Sequence, residues 1–124
     1  MTCCARAWCD PPITLSDSDL RVRAGRIRLA CFDVDGTLTD GRLVYDGEGR
    51  ETKAFHVLDG QGLKLLEENG VAVAFITARR NAAIQARARD LGLQHVYTGV
   101  KDMGAVLLQL CESLELSLEE AAHM

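Results

Sequence analysis

Residues Leu29-Ala-Cys-Phe-Asp-Val-Asp-Gly36 constrain this chain more than any other stretch. Four apolar residues run directly into two aspartates one residue apart, Asp33 and Asp35, and the run breaks at Gly36. A strand that is apolar throughout has both faces covered, the pattern of a parallel sheet held between layers of helices. Such strands deliver their last residues to the carboxyl edge of the sheet, where open α/β folds bind ligands. Acids there are costly in a core and useful in a crevice. The pair marks the candidate active site.

The chain on either side fits that reading. Residues 1–14 contain Pro11-Pro12 and no periodic pattern, and are expected to be a disordered leader ahead of one domain over residues 15–124. Ser16 or Asp17 is expected to cap a short helix through Arg23, with Leu15, Leu20 and Val22 apolar and Gly25 ending it. A buried strand over residues 27–34 follows. Two β-prone runs, 43–45 and 51–57, flank the turn Asp46-Gly47-Glu48-Gly49 and predict a β-hairpin lying as a flap over the acids or against a neighbouring subunit. Asp59-Gly60-Gln61-Gly62 is expected to turn into a helix with Leu63, Leu65 and Leu66 apolar, stopped at Asn69-Gly70.

A second buried strand over 71–76 ends at Thr77. A helix over 81–91, with Ile84 and Ala88 at helical spacing, stops at Gly92. A third strand over 95–97 and a helix over 103–114 follow, the latter with Val106, Leu107, Leu110 and Leu114 inward. Residues 117–122 read as the start of another helix. Strands alternating with helices require crossovers, so the fold class is α/β, a Rossmann-like, mostly parallel sheet flanked by helices.

Composition narrows the partners. The net charge is −4 with acids and bases interspersed, so no basic block is present to neutralise nucleic-acid phosphates. No apolar run approaches the ~20 residues of a membrane span. Five cysteines, an odd number, with Cys31 in a strand pattern and Cys111 on an apolar helix face, read as reduced thiols of a cytoplasmic protein. Cys3, Cys4 and Cys9 have no fourth ligand nearby and read as incidental.

Asp33, at the strand end beside freed backbone amides, can act as a nucleophile towards phosphorus. Asp35, further out after the turn at Gly36, suits a general acid that protonates a leaving oxygen and then a base that activates water. Two acids this close raise one pKa or require a cation, and Mg²⁺ takes oxygen ligands and bridges to phosphate. Gly36 and Thr77 are candidate phosphate-binding positions. Lys101 or Arg79 can neutralise transition-state charge.

Asp33-Val-Asp-Gly-Thr-Leu-Thr39 resembles the first motif of the haloacid dehalogenase superfamily, and Thr77 after its apolar strand resembles the second. Asp40-Gly-Arg-Leu, the hairpin, Lys53-Ala-Phe55, Asp59-Gly60-x-Gly62, Ile76-Thr77-x-Arg79 and Leu91-Gly-x-x-x-Val-Tyr-x-Gly-Val-Lys-Asp102 are similar to the 3-deoxy-D-manno-octulosonate 8-phosphate phosphatase family. The resemblance covers residues 16–124. It implies no large cap domain, a homotetramer whose hairpins help enclose neighbouring sites, and Mg²⁺ as cofactor. It further implies Asp33 as nucleophile and metal ligand, and Asp35 as general acid/base with its backbone carbonyl on the metal. Thr77 would hold phosphate and Arg79 the sugar acid. The reaction implied releases phosphate and a lipopolysaccharide precursor. An acylneuraminate-type sugar phosphatase, or a catalytically dead remnant acting in oligomerisation or binding, is the alternative.

Three departures from that family's pattern are visible. Met103 stands where the family has its third-motif lysine, with Lys101 two residues earlier. Leu58 replaces a usually basic residue before Asp59-Gly60. Ala121-Ala-His-Met124 falls where the family continues into a strand and an acidic fourth motif, Gly-Asp-Asp-x-x-Asp, so the sheet is expected to lack that strand and the domain to be incomplete at its C-terminus.

Overall fold

The computed structural model of the protein describes residues 15–124, so the expected leader over 1–14 lies outside the described residues. The elements are α1 (Asp17–Arg26), β1 (Leu29–Phe32), β2 (Val44–Tyr45), β3 (Glu51–Thr52), α2 (Val57–Glu68), β4 (Ala72–Thr77), α3 (Ala82–Leu91), β5 (His95–Thr98), α4 (Met103–Ser113), a 3₁₀ turn (Leu118–Glu120) and β6 (Ala121–His123). The main sheet has the order β5-β4-β1-β6, and every pairing in it is parallel. β2 and β3 form a separate antiparallel hairpin. This is the mostly parallel, helix-flanked α/β sheet that the sequence predicts.

Strand alternation sorts the core into two halves. On β4, Val73 and Phe75 face a cluster with Leu63 of α2 and Ile84, Ala88 and Leu91 of α3. Ala74 and Ile76 face the opposite side, where Leu29 and Cys31 of β1 meet Leu110 and Cys111 of α4. Successive side chains point to opposite faces, so one apolar strand glues both helical layers to the sheet. Burial is the first cause, and Cys111 the second, that pushes the Cys31 thiol up to about 11. It is a packed apolar group, not a nucleophile.

The strand order also fixes where a site can lie. From β1 the sheet grows outward through β4 to β5, then α4 returns the chain to place β6 on the other side of β1. The direction of winding reverses at β1, and a crevice opens beyond the carboxyl ends of strands at such a reversal. Asp33 is the residue that follows β1 there.

Several expectations are corrected. Residues 121–123 form a strand, not the continuation of a helix, and the strand expected to be lacking is present at β1's free edge. Three residues carry no local signal for either state. What decides is that β1 would otherwise leave backbone groups unpaired: Arg28 N–H donates to Glu120, Met124 N–H to Cys31, and Asp33 N–H to Met124, at 2.7–3.0 Å. The first helix runs through Gly25 to Arg26, and none of its residues is buried. The buried strand of β1 is shorter than 27–34, and the hairpin's second arm shorter than 51–57. Helix α2 starts at Val57, earlier than the glycine turn, because the His56 imidazole accepts the Leu58 N–H at 3.1 Å and caps it. On that helix Leu63 and Leu66 pack inward, while Leu65 is exposed. The spacing of three keeps one face, and Leu65 lies off it. Asn81 and Gly92 bound α3 as expected.

Candidate active site

The turn after β1 is stapled from within. The Thr39 hydroxyl accepts the N–H groups of Gly36 and Gly41, each at 3.2 Å, and Leu38 N–H returns to the Val34 carbonyl at 2.9 Å. Gly36 has φ of +84°, a left-handed conformation that a side chain would strain. Its amide is occupied by Thr39, so Gly36 shapes the turn in this state instead of offering a phosphate donor. Asp33 Oδ1 accepts the Val34 N–H at 2.7 Å. Asp35 is partly buried, and its Oδ2 is buried without a hydrogen-bond partner.

The other oxygen of Asp35 accepts a hydrogen bond from the Lys53 ammonium, which also donates to Glu51 Oε1 at 2.5 Å. Glu51 Oε2 in turn accepts from Arg79 at 2.6 Å. The Lys53 side chain is 1% exposed and that of Asp35 22%. Burial by itself would lower the Lys53 pKa, but the hydrogen bonds it donates to Asp35 and Glu51 outweigh that and hold the ammonium above its ordinary value. Lys53 first, then Arg79, hold the Glu51 carboxylate below its ordinary range. Glu51's hydrogen bond is the main cause raising Arg79. Two acids and two bases thus alternate across the hairpin and the strand mouth.

The remaining candidates fall in different places. Thr77 ends β4 at 1% exposure, and its hydroxyl accepts the Arg79 N–H at 3.3 Å, leaving the hydroxyl proton available to a ligand oxygen. Arg79 lies at the mouth with its side chain 41% exposed. Lys101 is exposed on the turn before α4, outside this ion-pair network. Leu58 is also exposed.

Lys53, Glu51 and Asn81 were missed as site residues. Asn81 caps α3 through its side-chain oxygen, which accepts from Ala83 at 2.7 Å, while its amide donates to the Glu51 carbonyl at 3.2 Å. The one available signal was period two: Glu51 and Lys53 stand on the same side of an extended arm. The hairpin expected as a flap over the site reaches it through that side.

Two carboxylates bear on whether a divalent metal fits. Among the described residues no cluster of three His, Cys, Asp or Glu side chains could hold one. Mg²⁺ is content with one or two carboxylates, its other positions being filled by water and substrate phosphate. Asp33 accepts the Val34 N–H through Oδ1, and among the described residues no hydrogen bond engages its other oxygen. The donor set suits such an ion in kind.

A parallel sheet whose first strand opens into an Asp-x-Asp-Gly-Thr turn, covered by a hairpin, places this chain among the haloacid dehalogenase-like α/β proteins. Within that class it is similar to the 3-deoxy-D-manno-octulosonate 8-phosphate phosphatases, the family that its motifs resemble. The Yersinia pestis enzyme of that name is 38% identical over 106 residues, 86% of this chain and 57% of that protein. A hypothetical protein from Xanthomonas campestris superposes with a TM-score of 0.84 at 55% identity, covering 93% of this chain and 63% of the other. The Moraxella catarrhalis phosphatase, in complex with magnesium ion, phosphate ion and a KDO molecule, gives 0.83 at 39% identity, covering 87% and 62%. The chain therefore spans about three fifths of the length of these relatives. No protein-family model matches it. Among the described residues no helix is long and apolar enough to cross a membrane.

Proposed function

We propose that the protein is a Mg²⁺-dependent phosphatase that hydrolyses 3-deoxy-D-manno-octulosonate 8-phosphate to the free sugar acid and phosphate. The observation that carries this reading is the asymmetry of Asp35, one oxygen held by Lys53 and the other buried and unpartnered at the mouth of β1. A carboxyl group fixed through one oxygen and unpartnered at the other keeps that second oxygen free to carry a proton to the leaving group and to take one back from water.

An Asp33 oxygen attacks the phosphorus and the bond to the sugar oxygen breaks. Asp35 gives its proton to that leaving oxygen. Water then attacks the aspartyl-phosphate, losing a proton to Asp35 as phosphate departs and Asp33 is restored. Thr77 donates to a phosphate oxygen, and Arg79, once it exchanges Glu51 for substrate, meets the sugar carboxylate. The Asp33 carboxylate and the Asp35 backbone carbonyl would hold Mg²⁺, which when bound offsets the negative charge gathered around the phosphoryl group.

The product would be a precursor of lipopolysaccharide, made in the cytoplasm. The exposed Leu43, Val44 and Tyr45 of the hairpin support the tetramer that the resemblance implies, in which hairpins close neighbouring sites. An acylneuraminate-type phosphate is the alternative substrate. The uncharged Met103, where the resemblance implies a lysine, favours a second reading, a remnant that only binds or oligomerises.

Phosphate release from 3-deoxy-D-manno-octulosonate 8-phosphate with Mg²⁺ separates the two. The phosphatase reading expects turnover by this chain that Asp33→Asn abolishes. No release by this chain, with release by one extended past Met124, leaves the remnant reading standing.

A further inference from the structure

A buried ammonium group costs several kcal/mol in desolvation unless it is paired and hydrogen-bonded. The chain carries one in Lys53, on the residue after β3, with its ammonium placed between Asp35 and Glu51. Three other positions offered a cation to the acid pair, and the geometry removes each. Met103 opens α4 without charge, Lys101 is exposed outside the network, and Arg79 is engaged by Glu51. Among the described residues, Lys53 is the cation in contact with Asp35.

From this we infer that Lys53 is the positioning residue of Asp35, supplied by the hairpin, whereas α4 opens on the uncharged Met103. It pins Oδ1 and so fixes the side-chain rotation that leaves Oδ2 without a hydrogen-bond partner of its own. It also balances charge. With Asp35 ionised, the form that takes the proton from water, Asp35, Glu51, Lys53 and Arg79 together sum to zero, and without Lys53 a net negative charge would stand beside Asp33. The flap is thereby part of the acid/base machinery, because the hairpin cannot lift without releasing the carboxylate. This inference rests on the phosphatase reading for Asp35's role, but not for the contact itself.

The test uses the full chain with Lys53→Met, Lys53→Arg and Lys53→Ala. The expected result for Lys53→Met is a fall in kcat of roughly 10- to 100-fold, within the range that a positioned acid/base contributes, with KM changed by less than about threefold. Lys53→Arg restores part of that loss, and added ethylamine restores part of it to Lys53→Ala, which a purely structural role would not allow. A fall confined to KM, or unaltered kcat in Lys53→Met, overturns the inference. Independently of turnover, NMR of the wild type is expected to show a slowly exchanging Lys53 ammonium, and the Asp35 carboxyl carbon is expected to shift in Lys53→Arg. Absence of both signals also overturns it. Turnover that survives Asp33→Asn sinks the phosphatase reading, while the NMR signals still decide the contact.

Discussion

Helix α2 carries two glycines whose surroundings differ, and alanine at each makes a calibrated test of how the hairpin's return is held. A Cβ at Gly62 would meet nothing within 4 Å; a Cβ at Gly60 would lie 2.2 Å from Arg87 Nη2 and 3.1 Å from Leu91 Cδ2. Glycine to alanine in a helix interior gains about 1 kcal/mol from propensity. Gly62→Ala should therefore stabilise the protein by about 0.5–1 kcal/mol. At Gly60 the same gain is opposed. The guanidinium must retreat by more than 1 Å to reach an ordinary contact distance of about 3.5 Å. It now donates to the His56 carbonyl at 3.2 Å and lies 5.8 Å from the centre of the Phe55 ring. Losing that hydrogen bond costs about 0.5–1.5 kcal/mol, and weakening the cation–π contact about 0.5–1 kcal/mol more. Gly60→Ala should fall below Gly62→Ala by about 1–2.5 kcal/mol, since propensity cancels between them. Urea unfolding at constant m measures it. In an Arg87→Ala background the Gly60→Ala deficit should shrink by at least about 0.5 kcal/mol. Gly60→Ala as stabilising as Gly62→Ala, or no coupling to Arg87, refutes the clamp.

Asn81→Ala should cost about 1 kcal/mol through loss of the α3 cap, and the lost bond to the Glu51 carbonyl should speed amide exchange in the hairpin arm at Glu51 and Thr52. Unchanged exchange there would mean that Asn81 only caps. Asp46 closes the hairpin turn, accepting from the backbone of Arg50 first, then its side chain, and from Glu48, which holds its carboxyl below the ordinary 3.8. The folded value is depressed, so its contribution is complete above 3.8 and disappears as pH falls through the lower folded value. Amide exchange at residues 48–50 should rise in that acid window in the wild type and lose the pH dependence in Asp46→Asn.

Some of this protein was legible before any coordinate. The apolar run into Asp33 and Asp35 announces a buried parallel strand ending in a crevice, because local hydrophobicity reports burial on both faces. The bounds of α3 at Asn81 and Gly92 and the buried strand ending at Thr77 are read correctly because helix stops and apolar runs are properties of a few neighbouring residues. Ala121–His123 was not legible. Those residues become a strand only because β1 offers an unpaired edge some ninety positions earlier in the chain. The same holds for Lys53, which meets Asp35 across 18 residues.

The sequence by itself determined the layered α/β class and the acid pair at the strand mouth. Tertiary structure decided the partner of each acid. An ion pair between a hairpin arm and a strand end leaves no mark in either segment, since its energy arises only when folding brings the two charges together out of water.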